Sequence, residues 1–157
     1  MDVQSQCLKR RTFLGAVLAS VVTPDPVLAQ TASTASVRDG SMKIRVAFNG
    51  QEFTATLYDN PSARDLASIL PMDLKFVDYG NNEKIAYLPR KLTEEGSGSF
   101  GNEAPGDLCY YAPWGNLVFY YAGYRYSKGL IRLGRLDGAI EPLLTRGEFP
   151  VRIEPAN

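Results

Sequence analysis

The side chains best equipped for chemistry in this sequence are one arginine and a dense run of aromatics. Eight of the seventeen aromatic residues fall between Tyr110 and Tyr126. Tyr111, Trp114 and Tyr120, taken with Arg90, form the candidate ligand-binding set. Rings provide apolar walls, phenol hydroxyls and the indole N–H orient a ligand, and a guanidinium hydrogen-bonds a carbonyl or an anion. What is missing narrows the chemistry further. The 157 residues include no histidine, which removes the usual general base near neutral pH, the commonest metal ligand and every Ser/His or Cys/His pair. Seventeen basic side chains balance seventeen acidic ones, so the positive field that nucleic acid binding requires is absent.

Each candidate has a plainer reading beside it. The aromatics can wrap the outside of the fold or pack under a long loop. Arg90 can be a rim charge beside Lys91, paired with Glu94 or Glu95 at about 0–1 kcal/mol. Cys109 sits between Leu108 and Tyr110 with no neighbouring positive charge in sequence to stabilise a thiolate, and it reads as a small buried hydrophobe on a strand. Asp59, Asn60, Asn81 and Glu83 are oxygen ligands in type, but they are scattered over turns without the spacing of a calcium loop. Gly134 and Gly138 lack the lysine of a phosphate-binding loop. No metal and no cofactor is therefore expected.

The elements that must position these residues are mostly strands. Ile44, Val46 and Phe48 alternate with polar or small neighbours, Asn49-Gly50 intervenes, and Phe53, Ala55 and Leu57 alternate again. That pattern predicts a hairpin with a type I′ turn. Ser62 and Asp65 predict a capping box for a two-turn helix through Leu66, Ile69 and Leu70 that stops before Pro71. Further strands are expected over Leu74–Tyr79, Lys84–Leu88, Leu108–Tyr111, Leu117–Tyr121 and Leu130–Leu136, and around Val151–Ile153. A glycine-rich stretch from Thr93 to Asp107 is too polar for a regular element. The fold class is mainly β, a closed or nearly closed barrel with one or two short helices. Strand alternation also separates neighbours. Tyr110 and Tyr111 cannot both face the core, so some of the aromatics must lie outside it.

The N-terminus reads as an address. Lys9-Arg10-Arg11 precede an apolar run from Phe13 to Val22, which is shorter than the roughly 20 residues of a membrane span. Lys9-Arg10-Arg11-Thr12-Phe13-Leu14 resembles the bacterial twin-arginine signal, and Val27-Leu28-Ala29 resembles a signal-peptidase site. The expected organisation is a signal over residues 1–29, a flexible spacer over 30–41 and one domain over 42–157. Removing the signal leaves 14 basic and 15 acidic side chains and Cys109 as the sole thiol. The expected location is the periplasm or another exported compartment, with no membrane anchor after cleavage.

Three stretches then resemble a known family, the bacterial cyclophilin-like domain. They are Glu83-Lys84-Ile85-Ala86-Tyr87-Leu88-Pro89-Arg90-Lys91-Leu92, the run from Gly106 to Leu117 that contains Ala112-Pro113-Trp114-Gly115, and the run from Ser127 to Leu136. The resemblance extends from about Lys43 to Leu144. It implies a small β-barrel related to the peptidyl-prolyl isomerases called cyclophilins, with a biochemical role that is undefined. It also implies that Leu88-Pro89-Arg90 stands where cyclophilins carry Phe-His-Arg, which makes Arg90 the counterpart of the catalytic arginine. Their Gln-Gly-Gly-Asp and histidine are missing, and Ser127-Lys128-Gly129 stands near their Trp-Leu-Asp-Gly segment. The leading expectation is thus a non-enzymatic accessory module binding a peptide, a protein or a small amphipathic ligand. The alternatives are a weak isomerase, whose chemistry needs no nucleophile, and a structural partner without a ligand site.

Overall fold

The computed structural model describes residues 41–156. The signal, the cleavage site and most of the spacer expected from the sequence lie outside the described residues. The described domain contains eight strands: β1 (Met42–Phe48), β2 (Gln51–Leu57), β3 (Met72–Tyr79), β4 (Glu83–Tyr87), β5 (Asp107–Tyr111), β6 (Asn116–Tyr120), β7 (Leu130–Leu136) and β8 (Phe149–Pro155). One helix, α1 (Pro61–Ser68), follows β2, and a single 3₁₀ turn, Glu141–Leu144, precedes β8.

All strand pairs are antiparallel, and the order β1-β2-β7-β5-β6-β4-β3-β8 closes on β1. Of the two forms the sequence left open, the barrel takes the closed one, and among the described strands no sheet edge is left open to template aggregation. The β1–β2 hairpin turns at Asn49 and Gly50, whose φ values of 49° and 69° are the positive pair a type I′ turn needs.

The barrel interior is filled by one residue of every alternating pair. Ile44, Val46 and Phe48 from β1, Phe76 from β3, Leu108 and Tyr110 from β5, Leu117 and Phe119 from β6, and Val151 and Ile153 from β8 are all buried in a single cluster. Phe76 meets Phe48 and Phe119 edge-on, with ring centroids 4.9 and 5.0 Å apart. That is the preferred arrangement of aromatic quadrupoles. Gly134 has a packing reason rather than a ligand reason: a β-carbon there would lie 2.2 Å from the backbone oxygen of Thr56. It marks the point where β7 crosses closest to β2, next to an irregularity in the β5–β7 ladder at Leu108/Cys109.

Two local expectations are corrected. The cap of α1 is Asn60, whose Oδ1 accepts from the Ala63 N–H at 2.9 Å, while Ser62 is fully buried and donates to the Thr93 carbonyl. The expected partner, Asp65, is drawn away by Arg90 and the Thr93 N–H. Long-range partners thus outcompete the local capping box. Strand ends also move by one or two residues, since β8 runs from Phe149 to Pro155 and β6 stops at Tyr120. Pairing with neighbours, which one sequence does not display, sets those ends.

Candidate functional site

The outer face of β3, β4, β6 and β5 carries the candidate site. Registry lines up three side chains across it, because Tyr79 of β3 opposes Glu83 of β4, and Glu83 opposes Tyr120 of β6. One step along, Ile85 opposes Val118, which opposes Cys109 of β5. Alternation sends Lys84 and Ala86 inward between them, so Glu83 and Ile85 share the outside. Ile85, Cys109, Val118, Tyr120 and Leu130 make a second apolar cluster, separate from the barrel core.

Loops cover part of this face. Tyr124 stacks on Tyr120 with centroids 3.6 Å apart and planes 2° from parallel, and Phe100 from the long loop packs edge-on against Tyr126. The Tyr124 hydroxyl donates to Asp107 at 2.6 Å, and Asp107 is fully buried with Arg132 and Arg135 both 3.3 Å away. The aromatics therefore divide between packed and exposed positions. Tyr124 and Tyr126 pack with the loops, whereas Tyr79 and Trp114 stay 48% and 46% exposed.

What the loops leave open is a pocket of about 200 Å³. Its walls are Tyr79, Tyr111, Trp114 and Tyr120, and Ile85 and Val118 line its apolar part. Trp114 is delivered by the tight β5–β6 turn, in which the Trp114 and Gly115 N–H groups both donate to the Tyr111 carbonyl. Its indole stands edge-on to Tyr79 (5.2 Å, 83°) and to Tyr111 (5.5 Å, 77°). Three of the four residues singled out from the sequence thus converge.

Arg90 does not line this pocket. The chain passes beside it, since the Leu88 N–H donates to the Gly115 carbonyl, but Arg90 lies beyond the end of β4 and its guanidinium turns to α1. There it makes two hydrogen bonds to Asp65, at 2.6 and 3.1 Å, and a third to the Lys91 carbonyl. Its partner is Asp65 rather than Glu94 or Glu95. The Arg90 hydrogen bond holds the Asp65 carboxyl below the usual carboxylate range, against the opposing effect of burial, with the Thr93 N–H adding to the lowering.

The polar groups that do line the pocket are Glu83, Asn116 and Ser127. Burial pushes the Glu83 carboxyl up, and a hydrogen bond with Tyr120 offsets part of that rise. Asn116 is 1% exposed; its Nδ2 donates to the Leu117 carbonyl at 3.0 Å, and its Oδ1 has no partner. Tyr79, Asn116 and Ser127 were missed in the sequence. Asn116 opens a strand and Tyr79 closes one, and only registry brings them together. Cys109 is buried under the same face, its Sγ 3.7 Å from the Tyr124 hydroxyl, and burial raises its thiol to about 12. Asp59 pairs with Arg64 and Asn60 caps α1. Among the described residues no group of three or more acidic or cysteine side chains is placed to hold a metal.

Comparison with known proteins agrees with the barrel. The family model of the cyclophilin-like family matches residues 46–154. The chain belongs to that family. The solution structure of the hypothetical protein AF2241 from Archaeoglobus fulgidus is similar to this cyclophilin-like domain, with a TM-score of 0.60 and 19% identity over 77% of this chain and 99% of that one. At that identity the likeness is one of fold. No curated protein matches this chain. The cyclophilin-like barrel is common ground, then, and the pocket must be argued from its own residues.

Proposed function

We propose that this cyclophilin-like domain is an exported, non-enzymatic binding module that holds a peptide segment or small amphipathic ligand in the outer-face pocket. One observation carries the reading: Tyr111, Trp114 and Tyr120, which come from three separate chain positions, meet Tyr79 around an apolar patch of Ile85 and Val118. Concave aromatic surface with a few fixed polar groups is the ordinary composition of a ligand site. The polar end differs from the one expected, because Glu83 and Asn116 stand where Arg90 was to be. A ligand there offers a donor rather than a carbonyl or an anion. The isomerase alternative gains no support, since Arg90, its one matching residue, is already bound to Asp65.

Trp114 is the only indole in the chain, so its fluorescence reports on the pocket directly. Titration with a panel of proline-containing peptides and amphipathic small molecules is expected to change the emission saturably. Trp114→Ala, followed by calorimetry, is expected to remove that binding without unfolding the domain. A flat response across the panel would leave the structural reading as the better one. A protease-coupled proline isomerisation assay showing turnover that Arg90→Ala abolishes would favour the isomerase instead.

A further inference from the structure

We infer that the pocket recognises a protonated alkylamine, an N–H-bearing ammonium head on an aliphatic stem; this rests on the pocket being a binding site, as proposed above.

Charge decides the sign of the ligand. Glu83 carries the single formal charge among the lining residues, and no lysine or arginine lines the pocket. The nearest cations by sequence are committed elsewhere: Lys84 points into the barrel and bonds Asp78 at 2.7 Å, and Arg90 is held by Asp65. No ion pair to Glu83 exists among the described residues. An anion brought here would meet a half-buried carboxyl with nothing to neutralise it.

The rings make the same choice. Trp114 stands at 83° to Tyr79 and 77° to Tyr111, so these rings present walls at near right angles instead of a closed stack. Ring faces are negative and attract a cation within about 6 Å of their centroids. Tyr120 brings a fourth ring directly across the ladder from Glu83.

Asn116 decides between kinds of cation. Its amide orientation follows from the Nδ2–H bond to the Leu117 carbonyl, because the flipped amide would set oxygen against oxygen. Oδ1 is therefore a buried acceptor without a partner, which is costly unless a ligand supplies a donor. An ammonium with N–H groups carries the donor this acceptor lacks; a quaternary ammonium carries none. Ile85 and Val118 offer the stem an apolar surface. At about 200 Å³ the pocket is smaller than the roughly 300–1,000 Å³ of drug-sized sites, so it takes a head and stem rather than a whole cofactor. That chemistry is shared by free amines and by lysine side chains.

The test is calorimetric titration of the full chain at constant ionic strength with n-butylammonium, n-butanol, tetramethylammonium, butyrate and N-acetyl-lysine N-methylamide. Butylammonium is expected to bind at least about tenfold more tightly than butanol and more tightly than tetramethylammonium, and butyrate is expected not to bind. Glu83→Gln is expected to abolish the preference for butylammonium over butanol. Tyr79→Leu, at an exposed position where folding is not at stake, is expected to weaken butylammonium severalfold. Blocked lysine equal to butylammonium assigns a peptide-borne ligand, and blocked lysine much weaker assigns a free amine. Equal binding of butanol and butylammonium, or a preference for butyrate, overturns the ammonium inference and leaves the binding-module reading intact. Failure of all five probes alongside success of a neutral ligand from the fluorescence panel does the same. Failure of every ligand defeats both.

Discussion

At the scale of single residues, the pocket holds polar groups whose burial the fold compensates only in part. Glu83 is the sharpest case. Its carboxyl is raised by burial, so the folded state binds this proton more tightly than the unfolded chain does. The stability it contributes is present below the unfolded value, about 4.3, and is lost as pH rises through the higher folded value. Glu83→Gln is therefore expected to raise the unfolding midpoint at neutral pH while weakening amine binding, a trade measurable by thermal melts beside calorimetry. Cys109 makes the opposite point, since a thiol raised to about 12 under Tyr120 and Tyr124 is not reactive. Native protein is expected to resist thiol reagents until it unfolds. Cys109→Ser is expected to cost about 1–3 kcal/mol in a denaturant melt, with the Tyr124 hydroxyl close enough to keep the cost at the lower end.

At the scale of elements, the helix is tied down by the segment that follows β4 rather than by its own sequence. Asp65 of α1 receives Arg90 and the Thr93 N–H, and Ser62 donates back to the Thr93 carbonyl. Because the Asp65 carboxyl is depressed in the folded state, its contribution is present above the unfolded value near 3.9 and lost as pH falls through the folded one. Asp65→Asn is expected to cost about 1–2 kcal/mol at neutral pH and to flatten the acid limb of the stability profile below about pH 5. Chemical denaturation at pH 7 and at pH 3 checks both. The variant also frees Arg90, so its effect on proline isomerisation shows whether the Arg90–Asp65 pairing masks an activity.

At the scale of the whole molecule, barrel closure places a charge where an isolated sheet would not hold one. Lys84 is fully buried on the inner face; it pairs with Asp78 and lies 5.5 Å from the centre of the Phe149 ring. Burial by itself raises the Asp78 carboxyl, but hydrogen bonds from Lys84 and the Gly147 N–H, with the charges of Lys84 and Arg146, bring it below its ordinary value. Lys84→Met is expected to cost about 3–5 kcal/mol, because it leaves a largely buried carboxylate without its main partner, and equilibrium unfolding in urea measures it. Export belongs to this scale as well. Residues 1–35 fused to a folded reporter are expected to send it to the periplasm, and Arg10→Lys with Arg11→Lys to stop it. Equal export of the double variant would end the twin-arginine proposal.

Local pattern alone determined the mainly β class, the Asn49-Gly50 hairpin, the short helix before Pro71 and the burial of Cys109, because each depends on side-chain period or on backbone preferences within a few residues. The same alternation required that Tyr110 and Tyr111 part, and Tyr110 fills the core while Tyr111 lines the pocket. The sequence also marked Tyr111, Trp114 and Tyr120. Which partners they meet was decided only in three dimensions. The neighbours of β4 are β6 and β3, one of them more than twenty residues away, and the register of those ladders puts Tyr79, Glu83 and Tyr120 in one row. Arg90 follows the same rule, since the closing of the chain over α1 offers it Asp65 before it can reach the rings.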